Sequence, residues 1–294
     1  MAVKIRDAND HYLTAGRTRD ALTGAAQCWQ AAPRCALVFD DETAAAACAA
    51  VEGVSETATI APVDSVRLNG AYLEGTFGIP AFHSGPVTLF RTICLENPNP
   101  DDFHWFITAV FQGAANLCVL HTGHTGDDPT SLRLYIAEGS QDPAWALADA
   151  VGKWLHVCLI VDGVNGTITS YVREAGGSSW LIQRTDDYDD QSQQAVERLG
   201  RRTPNQEGPE HVRIAKVATW EAALSEQEIL AECAQRLPAK LDGLHSYFSC
   251  DHLPASPWEW QPDLGDYVLN VEAGGQTPSP ELVASQPTDW NGAA

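Results

Sequence analysis

Positive charge is scarce in this chain: 18 lysines and arginines stand against 39 aspartates and glutamates over 294 residues, a formal net charge of −21. So acidic a surface repels phosphate backbones and anionic membrane surfaces, and nucleic acid is not an expected partner. Long apolar runs are lacking too. No stretch reaches the roughly 18 apolar residues of a membrane span, and the first seven residues, Met1 to Asp7, carry no apolar leader with a cleavage site. Neither membrane insertion nor export of the chain by itself is expected. Short paired cysteine spacings are also missing. The eight cysteines (Cys28, Cys35, Cys48, Cys94, Cys118, Cys158, Cys233 and Cys250) are spread mostly through apolar patterns, so a structural zinc site is not supported and buried free thiols are expected. Ser84, Ser131 and Ser170 sit in no nucleophile elbow, and there is no phosphate-binding glycine loop.

What the chain does contain is strand periodicity. Leu155, Val157, Leu159 and Val161 alternate along Lys153 to Val161, Asp162-Gly163 ends the run, and Gly166 to Val172 is rich in β-branched and aromatic residues. The pattern predicts a hairpin. His211 to Trp220 alternates again and leads into Ala222-Ala223-Leu224-Ser225-Glu226-Gln227-Glu228. Ser225 with Glu228 three residues on is a capping box, and Ile229, Leu230, Cys233, Ala234 and Leu237 line one face of the helix it starts. Pro238 stops that helix.

These residues resemble the laminin-G-like, concanavalin A-like jelly-roll domains, in Lys-Trp-Leu-His-Val, Arg-Ile-Ala-Lys-Val-Ala-Thr-Trp and Ala-Leu-Ser-Glu-Gln-Glu-Ile alike. The resemblance runs from about Val87 to Leu237 and implies two packed antiparallel sheets. After Tyr171-Val172 the chain departs from the family's turn and reads Arg173-Glu174. The expected fold class is therefore mainly β: an antiparallel jelly-roll β-sandwich with a small α/β insertion near the N-terminus and one short capped helix. Residues 1–16 and 86–275 are read as the sandwich, 17–85 as an insertion or small subdomain, and 276–294 as an extended tail. Val87 to Leu95, Phe103 to Phe111, Leu117 to His121 and Leu132 to Ala137 are its successive strands, separated by turn-forming clusters. Within the insertion, Arg34 to Phe39 reads as a strand and Asp41 to Glu52 as a helix. Asn69-Gly70 reads as a hairpin turn between Val66-Arg67-Leu68 and Ala71-Tyr72-Leu73. The tail is rich in proline and small residues and needs an outside surface to be ordered, such as a neighbouring subunit.

Candidate chemistry is sparse. Glycan-cleaving members of the wider superfamily place two carboxylates on alternate residues of a strand, about 5 Å apart. No Glu-x-Asp-x-x-Glu occurs; Asp101-Asp102 lies in a turn, and Glu207 and Glu210 flank Gly208-Pro209 in a loop. Asp186, Asp187, Asp189 and Asp190 read either as calcium ligands in a loop or as a solvated acidic run. The histidines are scattered, as structural or surface residues are. Among nine tryptophans, Trp258 and Trp260 flank Glu259 and would face one way if extended. With Trp180 they are the candidate glycan-binding rings; the other reading is a loop pinned to the sandwich.

The expectation is a non-catalytic structural protein of a viral particle: a bacteriophage capsid decoration, head spike or tail component. Its partners would be other virion proteins or copies of itself, and its location the virion. The alternative is a carbohydrate-binding, lectin-like module assisted by calcium, binding cell-surface glycans and placed outside the cell through a partner or a non-classical route. A glycan-cleaving enzyme ranks below both.

Overall fold

Strands make up nearly all the regular structure of the computed structural model, which describes residues 3–6, 12–13, 29–30, 59–62, 65–68, 71–76, 85–96, 105–112, 115–122, 131–136, 140–141, 145–146, 152–187, 195–200, 212–250, 259–260, 262–265, 268–273, 280–283, 287 and 290. In chain order these are β1 (Val3–Arg6), β2 (Tyr12–Leu13), β3 (Trp29–Gln30), β4 (Thr59–Pro62), β5 (Ser65–Arg67), β6 (Ala71–Thr76), β7 (Val87–Leu95), β8 (Trp105–Gln112), β9 (Ala115–Thr122), β10 (Ser131–Ile136) and β11 (Ser140–Gln141). There follow β12 (Trp145–Ala146), β13 (Trp154–Asp162), β14 (Thr167–Glu174), β15 (Ile182–Asp187), β16 (Ala195–Leu199), β17 (Val212–Trp220), the helix α1 (Glu226–Cys233), β18 (Leu244–Phe248), β19 (Glu259–Trp260), β20 (Leu264–Gly265), β21 (Leu269–Ala273) and β22 (Glu281–Val283).

One nine-stranded sheet runs β15-β14-β13-β7-β17-β18-β20, with β5 on β17 and β22 on β5. A second runs β11-β10-β9-β8-β16-β6-β21-β19, with β12 on β10. A four-stranded sheet, β3-β2-β1-β4, stands apart from both in its pairing. Every described pairing is antiparallel.

β7 is buried along its whole length because both of its faces are covered. Val87, Leu89, Ile93 and Leu95 share one core with Leu155, Val157, Leu159 and Val161 of β13 and with Leu73, Leu199, Trp260 and Leu269 of the opposing sheet. Phe90 faces the other way, into a second core with Cys158, Trp220, Leu224, Ile229 and Cys233. The molecule therefore has a sandwich core and a helix-side core, and each fully buried Leu, Ile or Phe contributes about 1.5–3 kcal/mol. Cys94, Cys158, Cys233 and Cys250 are buried, as the apolar patterns around them imply.

Arg91 and Lys216 enter these layers with charged partners. Arg91, on the inward side of β7, is held bidentately by Glu197 of the opposing sheet, Nε to Oε1 at 2.5 Å and Nη2 to Oε2 at 2.6 Å. Lys216, on the helix side, donates to Glu232 Oε2 at 2.7 Å and to the carbonyls of Glu232 and Gln235 at 3.2 and 3.1 Å. A β-bulge between Ile214 and Lys216 makes this possible: Val212, Ile214 and Val217 keep to the sandwich core, while Ala215 and Lys216 both turn outward.

The hairpin β13–β14 forms in the expected place. Asp162 Oδ1 accepts from the backbone N–H of Val164 and Asn165 at 3.1 and 3.0 Å, fixing the turn. The capping box at α1 is also present, and Val87 to Leu95 is a strand with the expected bounds.

Three expectations are corrected. β5 and β6 do not form a hairpin across Asn69-Gly70: β5 pairs with β17 and β22, and β6 with β16 and β21, so the chain crosses from one sheet to the other there. Both strands belong to the sandwich, which therefore begins before residue 86. Among the described residues β1 pairs with β2 and β4 and with no strand of the two large sheets, so the N-terminal strand, read with residues 1–16 as part of the sandwich, does not join its sheets. The tail finds its surface on its own chain: β22 pairs with β5, and Trp290 is buried with Cys94, Trp154 and Ala215. The expected strand at 34–39 and helix at 41–52 lie outside the described residues.

Candidate functional site

Alternation along β14 sends Ile168, Ser170 and Val172 inward and leaves Thr169, Tyr171 and Arg173 on the outer face. On the neighbouring edge strand β15, Gln183 lies opposite Tyr171 and Thr185 opposite Thr169, both exposed. The connection between the strands turns at Gly176, with φ of +76°, and at Gly177, where a Cβ would meet the Glu174 carbonyl oxygen at 2.9 Å. Glycine at both positions lets the chain double back and set Trp180 against Tyr171. The ring centroids are 5.1 Å apart and the planes meet at 59°.

The first turn of α1 completes the cluster. Ser225 caps the helix through Glu228, and this holds the next residue, Glu226, over the outer face of the sheet. Trp180 Nε1–H donates to Glu226 Oε1 at 2.8 Å, and Gln183 Nε2–H donates to Oε2 at 3.1 Å. Arg173 stands over the Trp180 ring at 5.9 Å and donates to the carbonyl of Gly177 from Nε at 2.7 Å. Burial first, and then the negative charge of Glu226, raises the Tyr171 pKa above its ordinary value, so its hydroxyl stays a protonated donor. Beyond the rings, the Thr169 and Thr185 hydroxyls are 3.0 Å apart at the surface. The face thus offers two aromatic rings at an angle, a carboxylate, an amide and a row of hydroxyls. Such rings cover the apolar C–H faces of a sugar while the polar groups exchange hydrogen bonds with its hydroxyls.

Of the rings expected to bind glycan, Trp180 is in this cluster. Trp260 is not: it is 1% exposed and packs edge-on against Phe248 at 6.2 Å in the sandwich core, so its role in a surface platform is corrected to core packing. Trp258 lies outside the described residues, as do Asp189 and Asp190. Asp186 is ion-paired with Arg184, and Asp187, its neighbour along β15, faces the opposite side of the strand. Those two carboxylates do not converge on one ion, and no group of three or more potential metal ligands occurs among the described residues. Tyr171, Gln183 and Glu226 were not candidates in the sequence. Their signals were the outward parity of Tyr171 beside inward Val172, and the position of Glu226 just after a helix cap.

No family model matches the chain, and no curated protein sequence matches it. Solved structures do. A candidate carbohydrate-binding protein from Bacteroides ovatus is similar with a TM-score of 0.51 and 18% identity, over 79% of this chain and 65% of that one. The catalytic domain of a glycoside hydrolase family 131 protein from Coprinopsis cinerea is similar with a TM-score of 0.36 and 18% identity, over 49% of this chain and 59% of that one. The enzymatically active domain of tailspike protein 2 from bacteriophage CBA120 gives 0.42 and 14%, over 60% of this chain and 28% of that one. This chain thus spans less than two thirds of the length of each. At such identities the likeness establishes the fold alone, an antiparallel β-sandwich of the jelly-roll type; it establishes neither a laminin-G affiliation nor a virion setting.

The expectation of a protein without catalysis is corrected by the same findings. Catalytic domains are among the similar structures, so a fold of this kind is no ground for excluding turnover. Carboxylates at alternate positions of one strand are one arrangement among several that can pair an acid with a base. Sheets bring together residues far apart in sequence, as Gln183 and Glu226 show.

Proposed function

We propose that this protein is a carbohydrate-recognising β-sandwich whose glycan site is the outer face of β14 and β15 around Trp180. The observation that carries the reading is the Trp180–Glu226–Gln183 cluster packed on Tyr171, which combines angled aromatic rings with fixed hydroxyl partners. The fold shared with the Bacteroides ovatus protein supports it. Binding to an array of oligosaccharides tests it. Removing the central ring of such a site costs about 2 kcal/mol or more, so Trp180→Ala is expected to weaken binding at least about tenfold. Unchanged binding in that variant would refute the site. Product analysis of the bound glycans separates recognition alone from recognition with cleavage.

The setting we infer for this module is the surface of a viral particle, where it would present the site to cell-surface glycans. Jelly rolls recur in capsid and lectin modules, and the net charge of −21 suits an exposed, soluble component. Self-association or association with other particle proteins is the expected native state; a strictly monomeric native mass counts against it. Calcium, if it assists, acts from the acidic stretch after β15, and a chelator then lowers glycan affinity.

A further inference from the structure

We propose that Glu226 makes this site selective for neutral, hydroxyl-rich sugars over sugars carrying a carboxylate or sulfate; the inference rests on the glycan reading above. Glu226 is exposed and its two oxygens are each held by one neutral donor, Trp180 Nε1–H and Gln183 Nε2–H. An ionised carboxylate accepts at about four lone-pair sites. The two not taken by the protein are open to hydroxyls of a sugar lying against the rings, and a hydroxyl bonded to a carboxylate forms a charge-assisted hydrogen bond.

Among the described residues no cation bonds to this carboxylate directly; Lys153, Lys240 and Arg184 pair with Glu174, Glu228 and Asp186. Arg173 lies on the same face, over the ring that Glu226 holds. Its Nε and Nη2 both donate to the Gly177 carbonyl, with its face over the Trp180 ring, so it braces the ring rather than the carboxylate. The two rings touch, with centroids 5.1 Å apart and planes at 59°, so together they form one short, bent ledge that suits a single sugar unit lying across their exposed edges, beside Glu226, better than a flat row of units. Two like charges about 6 Å apart repel enough to lower affinity about threefold even at the dielectric constant of water.

The test prints neutral hexose oligosaccharides beside counterparts oxidised at C6 to uronates, so that charge alone differs. Wild-type protein is expected to favour the neutral members by about threefold or more, and the preference should shrink as salt is raised, because exposed charges are screened. Glu226→Gln, checked for folding by its thermal transition, is expected to lose the preference. Equal or tighter binding of the uronates by the wild type overturns the inference without any variant, as does an undiminished preference in Glu226→Gln. Trp180→Ala distinguishes the two levels. If it binds as the wild type does, the site itself is wrong; if it loses binding while the wild type takes both sugar classes equally, only the selectivity is wrong.

Discussion

Lys216 and Glu232 have no side-chain exposure at all, and each is fully partnered. Burial lowers the Lys216 pKa, against the opposing pull of Glu232. Glu232 Oε1 also accepts from the backbone N–H of Ala239 and Lys240 at 2.8 and 2.9 Å, so the pair fixes the chain after α1 as well as the helix itself. Lys216→Met strands a buried carboxylate and is expected to lower unfolding free energy by about 3–5 kcal/mol, read by urea denaturation. At the start of α1 the Lys240 side chain and the backbone and hydroxyl of Ser225 hold the Glu228 pKa down to about 2 from an ordinary 4.5. A carboxylate depressed on folding contributes stability that is present above its ordinary pKa and lost as pH falls through the folded value. Stability should therefore decline between about pH 4.5 and pH 2, and Glu228→Gln should reduce that decline in a pH series of thermal melts. The cap was legible because Ser225 and Glu228 are three residues apart. Glu197 and Glu232, the partners of Arg91 and Lys216, were not: a charge within an apolar strand announces that it needs a partner and does not say which residue supplies it.

Elements show the same division between local and distant information. The β13–β14 hairpin was readable, since its alternation and its Asp162-Gly163 turn are contiguous in sequence. The bulge in β17 was not, although Ala215 and Lys216 stand together between Ile214 and Val217, because a strand read as simple alternation hides an extra outward residue. Asn69-Gly70 misled for a related reason: a turn signal shows where the chain reverses, not which sheet receives the next strand. Within the tail, Trp290 is anchored on the body of the chain: its Nε1–H donates to the Cys233 carbonyl at 3.1 Å and its ring lies 5.7 Å from the Arg236 guanidinium. Trp290→Ala leaves a cavity between the end of α1 and the central strands. It is expected to destabilise the protein by about 3–5 kcal/mol in chemical denaturation.

For the molecule as a whole, the sandwich could be read from strand spacing and from its resemblance to jelly rolls, while the candidate site could not. Trp180 was visible as a ring in a connection. Tyr171, Gln183 and Glu226 join it only because β14, β15 and the start of α1 meet on one outer face, and no spacing in sequence encodes that meeting. The central claim is that glycan is recognised at this face. It is tested most directly by following the nine tryptophan indole N–H signals in a heteronuclear NMR titration with the tightest-binding oligosaccharide from the array, the Trp180 signal being assigned by Trp180→Phe. The account predicts that the Trp180 indole signal shifts in a saturable way while the signals of core Trp220 and Trp260 stay in place. Saturable binding that leaves Trp180 unmoved would contradict it.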